Sequence, residues 1–166
     1  MTVQFLVALS DLQPRPRSGN IGIMSNPSTA PYAAVLLADV STGVEQGGEN
    51  AGVSFHLVRR HFDVQAFGVN GATGDAGDLV ITEHDERADT DYGTEDHEEL
   101  FAVMSGHAVF TVDGEEIDAP AGTLVFVRDP ALLRSARATV DGTAILAVGA
   151  QPGAAYAVSR WEQATA

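Results

Sequence analysis

Cysteine and lysine are both missing from this chain of 166 residues. Without cysteine there is no disulfide framework, thiolate nucleophile, zinc ribbon or iron–sulfur cluster, and nothing in the composition calls for an oxidising compartment. A cytoplasmic setting is the expectation. All nine basic residues are Arg, a bias that GC-rich codons produce, so it points to a bacterial genome rather than to a chemistry. Set against 23 acidic residues they leave a formal net charge of −14, a field that repels phosphate backbones and anionic headgroups. Nucleic acid and membrane surfaces are therefore not expected as partners. Long apolar runs are missing as well, none approaching the ~20 residues of a membrane-spanning helix. The apolar start Val3–Leu9 has no basic residue before it, and Arg15 and Arg17 come after it, the wrong order for a secretory signal. There is also no Gly-x-Ser-x-Gly elbow, phosphate-binding loop or dinucleotide fingerprint.

What is present suits one globular domain with a sizeable core: 45 % of residues are hydrophobic, 19 % are charged, and 17 Gly and 7 Pro punctuate the chain. Residues 11–31 collect Pro, Ser, Asn and Gly without apolar periodicity. A short apolar run, Tyr32–Ala38, precedes a second soft stretch, so residues 1–52 read as an irregular N-terminal arm and 53–166 as the folded domain. From Val53 onward, short β-prone segments alternate with turn residues, as in a sandwich or barrel. Strands are expected at Val53–Leu57, Val64–Val69, Asp78–Glu83, Glu99–Met104, Ala108–Val112, Leu124–Val127, Leu133–Thr139 and Thr143–Val148. Turns are expected at Gly71/Gly74/Gly77, Ser105-Gly106, Asp113-Gly114 and Asp141-Gly142, with Asp113-Gly114 between AVFTV and EEIDA the strongest hairpin signal. Helix is scarce, with single turns at Val58–Phe62 and Ser159–Gln163.

Chemistry concentrates in Glu83–Glu99, EHDERADTDYGTEDHEE, where nine of 17 residues are acidic and two more are His84 and His97. Carboxylates and imidazoles together suit divalent Fe, Mn, Ni, Co or Zn, whereas an acidic run by itself is ordinarily a solvated loop. Position distinguishes the flanks from the middle: His84 ends one expected strand and Glu99 begins the next, so both can face one enclosed space.

The segment Glu99-LFAVMS-Gly106 is Glu, six residues, Gly; Gly114-EEIDA-Pro120-Ala-Gly122 is Gly, five residues, Pro-x-Gly. In these motifs and their spacing the chain resembles the cupin superfamily, over roughly Phe55 to Glu162. The resemblance implies an all-β fold, a cupin-type double-stranded β-helix or jelly-roll barrel, whose interior holds a metal or a small ligand. Cupins commonly take two His from a His-x-His ahead of the motif Glu and a third from the second motif; here those positions hold Gly93, Glu95 and Val125. Of the usual four ligands only Glu99 stands, and Asp129 occupies the place of the second motif's Asn.

Two readings of the interior follow. In one, His84, His97 and Glu99, with Glu95 or Glu86, hold a divalent ion at the barrel mouth. In the other the barrel is metal-free, with Phe101, Val103, Phe110 and Val125 lining an apolar pocket and Glu99 its buried polar handle, which needs a compensating group. Either suits an enzyme acting on a small organic molecule, an isomerase, cyclase, dehydratase or oxygenase-like protein as in cupins of secondary metabolism, with Glu99 and His97 as the catalytic pair. The alternative is a non-catalytic cupin that binds or senses a small ligand. His107 is expected to face away from the barrel, Arg128-Asp129 to form a surface pair, and Tyr156 and Trp161 to pack the tail over the barrel or a partner. A homodimer is expected, because cupins pair through edge strands and the arm's apolar start needs cover.

Overall fold

Asp113 and Gly114 both adopt positive φ, 50° and 83°, forming the two-residue turn whose twist matches a right-handed hairpin. That turn joins β5 (His107–Val112) to β6 (Glu115–Pro120), and the remaining strands pair outward from it in nested order. β4 (Glu98–Ser105) pairs with β7 (Leu124–Val127), β3 (Ile81–His84) with β8 (Arg134–Ala138), and β2 (Gly68–Gly74) with β9 (Thr143–Ala150), all antiparallel. The chain is thus one long ribbon folded at its middle. Wound up, it makes two sheets, ordered β1-β2-β9-β4-β7 and β3-β8-β5-β6, with β1 (Ser54–His56) added at one edge. The computed structural model describes residues 31–43, 52–88 and 96–158.

Inward side chains from both sheets make one core. Phe101, Val103, Val125 and Ile145 of the first sheet meet Ile81, Phe110, Ala136 and Ala138 of the second. The Phe101 and Phe110 rings touch across the gap, centroids 5.4 Å apart. Alternation along β4 and β7 is strict enough to set the register, since a slip by one residue would turn this face to water. Leu100, Met104, Leu124 and Phe126 occupy the opposite face and are exposed.

The strands expected from sequence appear with shifted bounds, most of all β2. Gly71 and Gly74, expected in a turn, lie within it, and the strand begins at Gly68 rather than Val64. The cause is close packing on its outer face: a Cβ on Gly71 would fall 2.6 Å from Leu37 Cδ1. Leu37–Asp39 form a single 3-10 turn, and Val40 behind it is buried. His56 pins this segment by donating Nδ1–H to the Val40 carbonyl (3.3 Å) and accepting the Thr73 hydroxyl at Nε2 (3.0 Å). The helical turn α1 (Val58–Phe62) is present and ends at Asp63 in the left-handed region. Among the described residues no helix is long and apolar enough to cross a membrane. Val3–Leu9, Glu95 and Trp161 lie outside the described residues.

Candidate functional site

A bulge in β3 supplies the first ligand-type side chain. Ile81 faces Ala136 and His84 faces Arg134, so three steps along β3 match two along β8. In a regular strand residues three apart point to opposite sides; the extra residue puts both Ile81 and His84 on the barrel's inner face. Glu99 arrives there by simple alternation, in phase with Phe101 and Val103 at the start of β4. Glu86, just past β3, is carried in by the backbone: its N–H donates to the Pro130 carbonyl (2.9 Å), and its own carbonyl accepts the His97 N–H (3.3 Å).

His84, Glu86 and Glu99 converge, each offering one donor atom within 4.8 Å of the others. His84 Nε2 stands 3.4 Å from Glu86 Oε1 and 3.4 Å from Glu99 Oε2. The other ring nitrogen, Nδ1, donates to the Thr82 carbonyl at 2.7 Å, which fixes the ring's orientation and aims Nε2 at the carboxylates. Burial alone would lower the His84 pKa. The adjacent carboxylates of Glu86 and Glu99, the charge of Glu99 and the Thr82 carbonyl outweigh burial and push it up to about 10.

His97, expected beside Glu99, stands one step back. Its Nδ1 lies 3.5 Å from Glu86 Oε2, its ring lies against that of Tyr156, tilted by 31° with centroids 5.8 Å apart, and its buried Nε2 has no hydrogen-bond partner. Tyr156 thus covers the mouth, as expected for the tail. Phe101, Val103, Phe110 and Val125, expected as a pocket lining, are packed into the core beneath the polar cluster.

Sequence reasoning missed Arg134. This side chain is 0 % exposed, and its Nε lies 3.6 Å from Glu99 Oε2, so it compensates the buried carboxylate. Its Nη1 and Nη2 donate to the carbonyls of Pro130 (3.4 Å) and Asp129 (3.3 Å), bracing the loop that also receives the Glu86 N–H. The available signal was phase: Arg134 shares a strand face with Ala136 and Ala138, small residues suited to a crowded interior.

Other expected residues sort simply. His107 points outward to Asp118 at 2.6 Å. Arg128 reaches Glu98 (3.5 Å) and lies over the Phe126 ring, rather than pairing with Asp129, whose carboxylate accepts the Ala131 N–H (2.9 Å) as a turn cap.

The donor set fits a borderline divalent ion. Its chemistry is nitrogen plus carboxylate oxygen, the His84 ring is braced through its far nitrogen as metal-bound imidazoles are, and Glu86 Oε2 and Glu99 Oε2 are buried with no hydrogen-bond partner.

The nested two-sheet ribbon recurs in solved structures. A cupin protein from Bacteroides fragilis is 18 % identical over 78 % of this chain and 92 % of its own, with a TM-score of 0.54. The chain has the cupin fold. A sugar phosphate isomerase of the cupin superfamily from Silicibacter pomeroyi shares it at 15 % identity, 72 % and 76 % coverage, and a TM-score of 0.54. So does a predicted oxalate decarboxylase from Thermotoga maritima, at 20 % identity, 70 % and 97 % coverage, and a TM-score of 0.53. At these identities the shared feature is the fold. No family model and no curated protein matches the chain.

Proposed function

We propose that this cupin-fold protein is an enzyme acting on a small organic molecule at the barrel mouth, with His84, Glu86 and Glu99 holding a divalent ion. The observation that carries the reading is the convergence of those three donor atoms within 4.8 Å, in a site closed on its far side by packed aromatics. A bound ion would supply Lewis-acid polarisation of a substrate oxygen. The chain's own residues do the rest. Arg134 holds Glu99 in place, the packed core beneath excludes water from one side, and His97 offers its unpartnered Nε2 as the proton carrier. His97 is oriented for that task by Glu86 at Nδ1 and by the Tyr156 ring.

A second reading rests on the raised pKa of His84. With the imidazolium bridging Glu86 and Glu99, and Arg134 beside it, two cations offset two carboxylates with no ion at all. The site then serves metal-free proton transfer, or ligand binding without catalysis. The exposed row Leu100, Leu124 and Phe126, the last two on the edge strand β7, supports the homodimer expected from the sequence.

Elemental analysis of untagged protein, dialysed in turn against Mn, Fe, Co, Ni and Zn salts, separates the readings. The first expects a stoichiometric ion in the wild type, lost in Glu99→Gln and in His84→Ala. Equal metal content in all three proteins, with no ion raising the melting temperature, would refute it.

A further inference from the structure

Cross-strand pairing sorts the inner face of the first sheet into rows. The row at the mouth runs Gly68, Gly149, Glu99, Val127; the next runs Asn70, Ala147, Phe101, Val125; the third holds Ala72, Ile145 and Val103. Residues directly opposite share a face, so Asn70 points into the barrel in phase with the core residue Ala72. It is the only polar side chain in its row. Its amide oxygen is buried and has no hydrogen-bond partner.

Beside Asn70 the wall is stripped of bulk. Between β2 and β4, β9 presents only Gly149 and Ala147 to the interior, a low-floored slot with Asn70 on one bank and Glu99 and Phe101 on the other, two strand spacings or ~10 Å away. Each glycine borders the site closely. A Cβ on Gly149 would fall 3.3 Å from Glu99 Cγ, and one on Gly68 would fall 3.2 Å from the Tyr156 hydroxyl, which roofs the slot. The unpartnered buried side-chain atoms of the described residues are those of Asn70, Glu86, His97, Glu99 and Arg134. Four of them belong to the cluster already described, and Asn70 stands apart on the facing bank.

Asn70 is partly exposed as a residue, yet its unpaired buried amide oxygen is destabilising, and an apolar residue of the same shape would remove that penalty. We propose that Asn70 is the specificity-determining anchor of the site: its amide oxygen accepts a hydrogen bond from a hydroxyl at one end of a small ligand whose other, oxygen-bearing end faces Glu99. The slot takes a short chain of about five to seven heavy atoms, by the same strand spacing. This selects hydroxylated acids or carbonyl compounds over their deoxy counterparts, because a site built to accept a hydroxyl proton is left unpaired by an analogue lacking it. The inference deepens the proposed function and rests on its placement of the reacting end, but Asn70 holds no part of the candidate metal cluster.

Two measurements test it on the full chain. In thermal unfolding without ligand, Asn70→Leu raises the melting temperature by ~2–4 °C, the shift of a relieved polar burial in a domain of this size. In methyl NMR of the same protein held in excess Zn, 4-hydroxybutyrate shifts the Ala147 resonance in the wild type. Butyrate does so at least tenfold more weakly, and Asn70→Leu abolishes the difference. A lower melting temperature for Asn70→Leu overturns the proposal, as do equal responses to the two probes or no response to either. Metal content kept in Asn70→Leu but absent from Glu99→Gln separates failure here from failure of the ion reading.

Discussion

Replacing Arg134 with Met removes the buried guanidinium beside Glu99 while keeping most of the apolar stem. The guanidinium is 0 % exposed and Glu99 9 %, so the carboxylate gains little hydration when its partner goes. Breaking a buried pair from one side costs about 3–5 kcal/mol, because the surviving charge has been desolvated without compensation. Two further donors are lost, those serving the Asp129 and Pro130 carbonyls, at about 1 kcal/mol each. His84 stays beside Glu99 and offsets about 2 kcal/mol of that sum, leaving ~3–5 kcal/mol. At roughly 4 °C per kcal/mol this lowers the melting temperature by about 12–20 °C. Urea unfolding followed by circular dichroism, in a chelating buffer, measures it. The control is the double variant Arg134→Met with Glu99→Leu, which recovers more than half of the loss because no lone charge is left behind. A cost under about 1 kcal/mol for Arg134→Met, or a double variant no better than the single, would refute the pairing of these two residues.

Two more outcomes follow from particular contacts. In metal-free protein the charged form of His84 is favoured by folding, with a pKa of about 10 against 6.5 unfolded, so its stabilisation is complete below pH 6.5 and is lost as pH rises toward 10. Melting temperature plotted against pH between 6.5 and 10 in chelator declines for the wild type and flattens for His84→Gln; parallel curves would contradict it. The glycines of two turns are also unequal: at Gly106, φ 73°, a Cβ would lie 2.6 Å from Thr143 Cα, whereas at Gly114, φ 83°, it would meet nothing within 4 Å. Gly114→Ala should cost about 1 kcal/mol from backbone strain alone, and Gly106→Ala several times more, with equal costs in urea unfolding speaking against this backbone geometry.

The barrel was readable because its signals are local. Asp113-Gly114 needs only its own positive φ values, and alternation along β4 and β7 needs only period two. Glu99 was found for the same reason, since its phase with Phe101 is visible in the letters. His84 was placed correctly at a strand end, but the bulge that turns it inward is a mismatch between β3 and β8, and mismatch is a property of pairs. Arg134 and Asn70 went unrecognised on similar grounds. A charged residue in a strand reads as exposed until its partner Glu99, far away in the chain, is known to need it, and an Asn between Val69 and Gly71 reads as a loop residue. β2 was misplaced because its glycines are strand residues only when Leu37 covers them.

The nested pairing has a kinetic consequence. The residue pairs Ala102–Leu124, His84–Arg134 and Gly68–Gly149 close successively longer stretches of chain, yet each closure is short once the pair inside it has formed. Assembly can therefore proceed like a zipper from the Asp113-Gly114 turn, sparing the chain the full entropy of its longest loop in one step. His84, Arg134 and Gly149 sit on the outer teeth of that zipper. The mouth of the barrel is consequently the last part to close and the first to reopen, so whatever occupies it, ion or ligand, acts as the clasp holding the ribbon shut.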